Sequence, residues 1–288
     1  MKAGYPVSSL GIMVNPDKPL AGEIVHDLIG MIEERGMTFT QADDLVPLIG
    51  REEHSCPVSE LWQAIEMLIA LGGDGTILAA ARAIGVNNVP ILGVKVGGLG
   101  FLADITPDEL PEALDKVKQG RYGLSERMTL ETVFDGQTHF ALNDLVIDKG
   151  ASPRILDLEL YVGGQFVNTS TADGLIISTP TGSTAYSLSV GGPIVHPRMQ
   201  AIILSPICPH VLANRPMILK GDEPVEVVIK SAGGEVKLTV DGQINFPLRQ
   251  GDRIMVRKSD HSVRLVRSSN RTYYDVLRTK LKWGVREG

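Results

Sequence analysis

The chain has 288 residues, 43% hydrophobic and 22% charged, with a net charge of −6. That is length for one large domain or two ordinary ones, with enough apolar side chains for a sizeable core. The acidic balance argues against a general nucleic-acid binder, whose footprint is basic. Two cysteines, Cys56 and Cys208, with no CxxC pair argue against a disulfide framework or a finger-type zinc site. No apolar run approaches the roughly 18 residues of a membrane span, and the start MKAGYPVSSLGIMV, followed by NPDKP, lacks the pattern of a signal peptide. A soluble, cytoplasmic protein is expected, with neither nucleic acid nor membrane as partner. One local exception to the acidity runs from Arg253 to Gly288, with ten Lys/Arg against three Asp/Glu. It reads as a solvated basic face or as a patch for an anionic ligand or a partner subunit.

The first 120 residues alternate strand-like and helix-like segments. LGIMVNP reads as a strand ending in a turn. AGEIVHDLIGMIEERG carries Ile24, Leu28 and Ile32 at helical spacing and stops at Gly36. MTFTQA reads as a second strand, SELWQAIEML fits either helix or strand, and MLIAL is a short continuous apolar run, as in a buried parallel strand. TILAAARAIG predicts a helix with a Gly stop, and VPILGVKVGGLGFLAD a strand entering a glycine-rich loop. TPDELPEALDKVKQG predicts a helix capped by Thr106 with acids in its first turn. Alternation of this kind predicts an α/β N-terminal domain with a Rossmann-like parallel sheet under helices. Beyond Tyr122 the texture changes: to about Val266 the segments are short, alternating and separated by Gly/Asp/Asn turns, so this half reads as β-rich. FDGQ and VGGQ read as hairpin turns there, and YYDVLRTKLKWG returns to helical character. The expected domains are 1–122, 123–267 and a tail, 268–288.

Ligands of open α/β sheets bind beyond the carboxyl ends of the strands, and GGDGT, Gly72 to Thr76, sits at such a place. Gly72, Gly73 and Gly75 let a ligand approach the backbone, and the helix start at Thr76 offers free N–H groups and a positive dipole end. The loop lacks the Lys of a Walker A sequence and the spacing of GxGxxG. An acid among such glycines repels phosphate, so Asp74 suits a hydroxyl or a metal. A carboxylate accepts the proton of an attacking hydroxyl while backbone amides and Mg2+ manage phosphoryl charge. The loop therefore predicts phosphoryl transfer to an alcohol; the plainer reading is a tight turn. TADGLIISTPTGSTAYSLSVGGPIVHP, Thr171 to Pro197, follows an apolar strand with a density of hydroxyls and glycines that suits a polar ligand. ALNDLVID interrupts an apolar strand with Asn143–Asp144, a ligand-facing pair or a bulge. VDGQ, Val240 to Gln243, taken alone is a hairpin turn. Cys208-Pro-His210 reads as structural, and neither GxSxG nor HExxH occurs.

Together these segments resemble the NAD kinase family. GGDGT is shared by NAD kinases, diacylglycerol and sphingosine lipid kinases and, in variant form, phosphofructokinases. ALNDLVI is similar to the family's Asn-acid motif. DGLIISTPTGSTAYSLSVGGPIVHP is similar to its long glycine-rich segment, and CPHVLANRP and VDGQ follow in the right order. The resemblance covers about Gly11 to Trp283. It implies an α/β domain, a β-sandwich-like second domain, and a tail returning to the first. It implies ATP-dependent phosphorylation of the adenosine-ribose 2′-hydroxyl of NAD, with Mg2+, at a site between domains completed in a homodimer or homotetramer. By position it makes Asp74 the proton acceptor, beside Gly72, Gly73, Gly75 and Thr76 on the loop. Asn143 and Asp144 match the NAD-contacting pair. Asp173 and the run Thr184, Ala185, Tyr186, Ser187, Leu188 and Ser189 match further dinucleotide contacts; Arg154, Thr171 and Gln243 fall at contact positions that vary in kind. Three positions depart from the family: Asp144 for the more usual Glu, Gly98 where many members have Asn, and Ala79 where many carry a basic residue, with Arg82 three residues on.

Two other readings compete. A lipid kinase of the diacylglycerol type shares GGDGT, but the Thr171–Pro197 segment and the lack of an obvious amphipathic membrane-facing helix count against it. A non-catalytic NADP-binding sensor is disfavoured by the intact Asp74.

Overall fold

The computed structural model describes every residue except 1, 19, 99, 104, 151–154, 212, 233, 269 and 284–288. The chain divides into two compact units, Met1–Glu126 with Val263–Gly288, and Arg127–Ser262.

Unit 1 is an α/β domain. In chain order it holds β1 (Lys2–Ala3), β2 (Ser9–Val14), α1 (Ala21–Glu34), β3 (Thr38–Ala42), α2 (Val46–Ile49), β4 (Ser55–Cys56), α3 (Leu61–Ala64), β5 (Met67–Gly72), α4 (Asp74–Ile84), β6 (Ile91–Lys95), α5 (Leu110–Lys118) and the start of β7 (Gly123–Phe134). The strands β6-β5-β2-β3-β4 form a parallel sheet in that order. Every residue of β5 and β6 is buried, so MLIALG and ILGVK show no alternation, as expected of strands covered on both faces. Helix α1 packs through Ala21, Val25, Leu28, Ile29 and Ile32. SELWQAIEML resolves into both of its readings: one helical turn, Leu61–Ala64, then an extended entry into β5. Helix α4 begins at Asp74, two residues before Thr76, because Gly73 takes the extended N-cap conformation. Thr106 forms a capping box with Glu109 ahead of α5.

Unit 2 is β-rich. Its elements are the remainder of β7, β8 (Gln137–Ala141), β9 (Asp144–Asp148), β10 (Leu156–Val162), β11 (Gln165–Ala172), β12 (Gly174–Ser178), α6 (Tyr186–Ser189), β13 (Ala201–Ile207), β14 (Met217–Lys220), β15 (Val225–Ala232), β16 (Val236–Val240), β17 (Ile244–Leu248) and the first part of β18 (Arg253–Arg267). The end of β18 and α7 (Tyr273–Leu281) belong to unit 1, where Leu265 pairs with Ile91 in parallel. FDGQ and VGGQ are two-residue hairpin turns. Asp135 and Gly136 have φ of 49° and 73°, Gly163 and Gly164 of 56° and 77°, the left-handed pair a type I′ turn demands. One antiparallel sheet contains β11-β10-β15-β18, the other β14-β13-β12-β9-β16-β17. Leu145, Ile147, Leu175 and Ile177 of the second sheet pack with Leu156, Leu158, Val227 and Ile229 of the first, a sandwich core. On the opposite face of β9 and β12, Val146 and Ile176 pack with Ile207 and Val190. Burial of both faces explains the unbroken apolar runs LVI and LII. Among the described residues no helix is long and apolar enough to cross a membrane.

Candidate active site

In unit 1 the chain leaves β5 at Gly72, passes Gly73 and enters α4 with Asp74 as its first residue. A Cβ on Gly72 would stand 2.1 Å from the Thr76 hydroxyl oxygen, which folds back over the turn. The Asp74 carboxylate gathers the loop that follows β6: Oδ2 accepts the N–H of Phe101 at 2.9 Å, and Oδ1 those of Leu102 at 3.0 Å and Ala103 at 3.3 Å. Gly100 comes so close that a Cβ there would lie 2.1 Å from Asp74 Oδ1. A carboxylate offers about four lone-pair positions. Three are taken, so one, on Oδ2, is left for a further donor. Gly75 is exposed beside Asp74, and Thr76 is buried.

Lys95 was not singled out by the sequence reasoning. It is the last residue of β6, in register with Gly72, and only 5% exposed. Burial holds its ammonium down at about 8, with Lys280 and Lys18 pushing the same way and Asp74 opposing them. The signal was present in GVKVGG: a lysine ends a continuous apolar strand at the mouth of a glycine loop, where an unpaired charge is costly.

In unit 2 the Asn143–Asp144 pair is held by Asp241, whose carboxylate accepts the N–H of Leu142 at 2.9 Å, Asn143 at 2.7 Å and Asp144 at 3.1 Å. The VDGQ hairpin that carries Asp241 joins β16 to β17, with Asp241 and Gly242 both at positive φ. Asp241, too, was missed, since nothing in a turn sequence shows which distant backbone its carboxylate will bind. The Thr179 hydroxyl donates to the Leu142 carbonyl at 2.6 Å, and the Thr179 N–H to that of Asn143 at 2.8 Å. Asn143, Asp144, Ala185 and Tyr186 line one open cleft with Asp148, Lys237, Thr239, Asp241 and Gly242. Asp144 is 5% exposed, and burial, reinforced by the Asp241 charge, lifts its carboxyl to about 7.

The other expected residues of unit 2 that are described stand outside the lining of this cleft. Thr184 donates to the Thr181 carbonyl, and Ser187 is buried with its hydroxyl 2.8 Å from that of Ser205. Leu188 is half-buried and Ser189 exposed. Asp173 pairs with Lys149 at 2.7 Å. The Thr171 hydroxyl donates to Asp157 at 2.6 Å. Gln243 closes the β16–β17 turn through its N–H to Val240, and Arg154 lies outside the described residues.

Residues 10–122 match the family described as ATP-NAD kinase N-terminal domain, and residues 142–268 the ATP-NAD kinase C-terminal domain. An NAD kinase of Geobacter sulfurreducens is 44% identical over 97% of this chain and 100% of its own length. An NAD kinase of Moorella thermoacetica is also 44% identical, over 96% of this chain and 89% of its own. Among solved structures, yeast NADH kinase complexed with NADH superposes with a TM-score of 0.87 at 29% identity, covering 99% of this chain and 91% of that one. An NAD kinase from Archaeoglobus fulgidus in complex with ATP shares the fold at a TM-score of 0.78 and 22% identity, over 94% and 99% of the two chains. With both family halves matched in order and relatives this similar along almost the whole length, the chain belongs to the NAD kinase family.

Proposed function

We propose that this NAD kinase transfers the γ-phosphoryl of ATP to the 2′-hydroxyl of the adenosine ribose of NAD, forming NADP and ADP. The observation that supports the chemistry best is the Asp74 carboxylate, clamped by three backbone N–H groups with one acceptor position left. That position takes the proton of the ribose hydroxyl while its oxygen bonds to the γ-phosphorus and the bridging bond to the β-phosphate breaks. The proton remains on Asp74 and leaves to solvent. Gly72, Gly73, Gly75 and Thr76 shape the loop, and the start of α4 presents its positive end to the phosphates. Catalysis is then mainly positioning and charge stabilisation.

Mg2+ fits as an ion carried by the nucleotide. Among the described residues no cluster of three or more His, Cys, Asp or Glu stands ready to hold a metal alone, and Mg2+ is commonly bound through substrate phosphates with one or two carboxylates. When bound it neutralises charge on the transferring phosphoryl group. In unit 2, Asn143, Asp144, Ala185 and Tyr186 bind the dinucleotide, supported by their shared cleft. Asp173, Thr171, Arg154, Gln243, Thr184, Ser187, Leu188 and Ser189 are proposed as further contacts on the family's pattern. The chain works in the cytoplasm as a homodimer or homotetramer.

The test is a matrix of donors and acceptors: ATP with NAD, NADH or diacylglycerol, read as phosphorylated product. NADP from NAD is expected, and product from the lipid alone would reverse the assignment. Asp74→Asn is expected to lower kcat by at least roughly 10²-fold, the low end for a general base, and, because its NH2 replaces an oxygen that accepts a backbone N–H, to lower the thermal midpoint while the fold survives. Near-normal turnover in a folded variant would remove Asp74 from the proton transfer.

A further inference from the structure

Unit 1 holds a cavity of about 130 Å3 that shares no lining residue with the GGDGT turn or with the cleft around Asn143. Its floor is apolar: Leu92 of β6, Ile105, Val117 of α5, Tyr122 and Val266 of β18, all buried. Packed interiors keep few voids larger than a water molecule, and roughly 150 Å3 of apolar space holds a benzene ring. The mouth is charged. Glu112 pairs with Lys116 at 2.6 Å, and Glu109 with Arg271 at 2.8 Å and with the Asn270 amide at 3.0 Å. Both acids are thereby neutralised. Arg121 is exposed at the same mouth, and among the described residues its side chain makes no hydrogen bond or ion pair. With Arg267 also in the lining, the charge left over is positive. An apolar floor under a cationic mouth suits a ligand that is hydrocarbon at one end and anionic at the other.

The cavity also reaches the loop that Asp74 clamps. Leu102 and Ala103 donate to the Asp74 carboxylate. Two residues on, Ile105 forms part of the cavity floor, and its carbonyl accepts the Lys95 N–H at 2.8 Å. Thr106 then opens the capping box ahead of α5, whose Ala113 and Val117 also line the cavity. We propose that this cavity is a binding site for a small amphipathic carboxylate, an apolar ring or branched chain of about six carbons with one acid group, and that its occupant steadies the backbone of Phe101, Leu102, Ala103 and Ile105. The apolar floor rewards a hydrocarbon body, and a guanidinium fork matches the two oxygens of a planar carboxylate. Inorganic phosphate offers nothing to the floor. The ligand fits the conformation in which Ile105 is seated and the clamp on Asp74 is closed, so binding stabilises that conformation. Binding and local stability are read without turnover, so their outcome is independent of the phosphoryl-transfer reading.

The experiment titrates the wild-type protein, Arg121→Gln and Ala113→Phe with 4-fluorobenzoate and with its neutral amide, 4-fluorobenzamide, followed by fluorine NMR at constant ionic strength. The wild type is expected to bind the acid with a Kd on the order of 1 mM or tighter, as suits about ten heavy atoms. Arg121→Gln weakens the acid by about 5-fold to 10-fold, the loss of a charged hydrogen bond, and leaves the amide within about 2-fold. Ala113→Phe, which places a ring in the cavity, abolishes the binding of both. Saturating ATP or NAD leaves the acid bound. Amide hydrogen exchange at Phe101, Leu102 and Ala103 slows by about 10-fold at ten times Kd, because opening of this backbone dismantles the Ile105 wall. No binding by the wild type well above that Kd would overturn the proposal. So would equal affinities in the wild type and both variants, or displacement by ATP, by NAD or by an equal concentration of inorganic phosphate. Unchanged exchange with the acid bound would overturn the coupling to the Asp74 loop. If Ala113→Phe fails to fold, Arg121→Gln, a change at an exposed position, decides by the split between acid and amide.

Discussion

Two aspartates perform the same task in the two units. Asp74 binds the consecutive N–H groups of Phe101, Leu102 and Ala103, and Asp241 those of Leu142, Asn143 and Asp144. Each uses its charge to set a short backbone stretch, and hydrogen bonds to charged groups are the stronger kind. In unit 2 this places the buried carboxyl of Asp144 beside a fixed negative charge, and it ionises near 7 instead of near 4. Between those values the folded chain keeps a proton that the unfolded chain releases. This group's contribution is therefore fully present below about pH 4 and is lost as pH rises through 7, by on the order of 4 kcal/mol. Thermal midpoints of the wild type and Asp144→Asn at pH 5 and pH 8 check this. The wild type is expected to lose more stability over that interval than the variant; parallel slopes would show that Asp144 does not carry the proton.

At the scale of elements, the cleft in unit 2 depends on how closely the turn after β12 approaches the entry to β9. Gly182 lies against Asn143 so tightly that a Cβ would stand 2.1 Å from its carbonyl oxygen, backbone to backbone. Gly182→Ala is expected to cost about 1–3 kcal/mol, as overpacking does, and to raise KM for NAD by spreading Asn143 away from Ala185 and Tyr186. A variant with wild-type midpoint and KM would refute this. Much at this scale was legible beforehand. MLIAL and PILGV are continuous because β5 and β6 are buried on both faces, and the Asp-Gly and Gly-Gly turns demanded positive φ. SELWQAIEML resisted a single reading because it is one helical turn followed by the approach to a strand. The GGDGT turn and the Asn143–Asp144 pair could be found because their residue types are odd for where they stand. Asp241 could not, because its partners begin 99 residues away at Leu142. Nor could the clamp on Asp74, whose donors lie 27 to 29 residues on.

For the molecule as a whole, the acidic balance of −6 hides a local excess of ten Lys/Arg over three Asp/Glu from Arg253 to Gly288, and total charge says little about the ligand. The outer surface of unit 2 has a second consequence. Strand β14 is one edge of its sheet and β11 an edge of the other. Asn214, in the segment leading into β14, binds both Asn168 and Ser170 of β11 through its side chain. Along these edges Met217, Ile218, Phe166 and Val167 are exposed, Phe166 to 58%. Open edges with apolar side chains are usually covered by something. A second copy of the chain is the occupant that a homodimer or homotetramer would supply. Sedimentation equilibrium is expected to give a multiple of 31.1 kDa. Replacing both Ile218 and Phe166 by Lys, exposed positions with little folding cost, is expected to shift the mass toward the monomer. A wild-type mass of 31.1 kDa at every concentration would rule out the oligomer, and a double variant that keeps the full mass would exclude these edges as its contact.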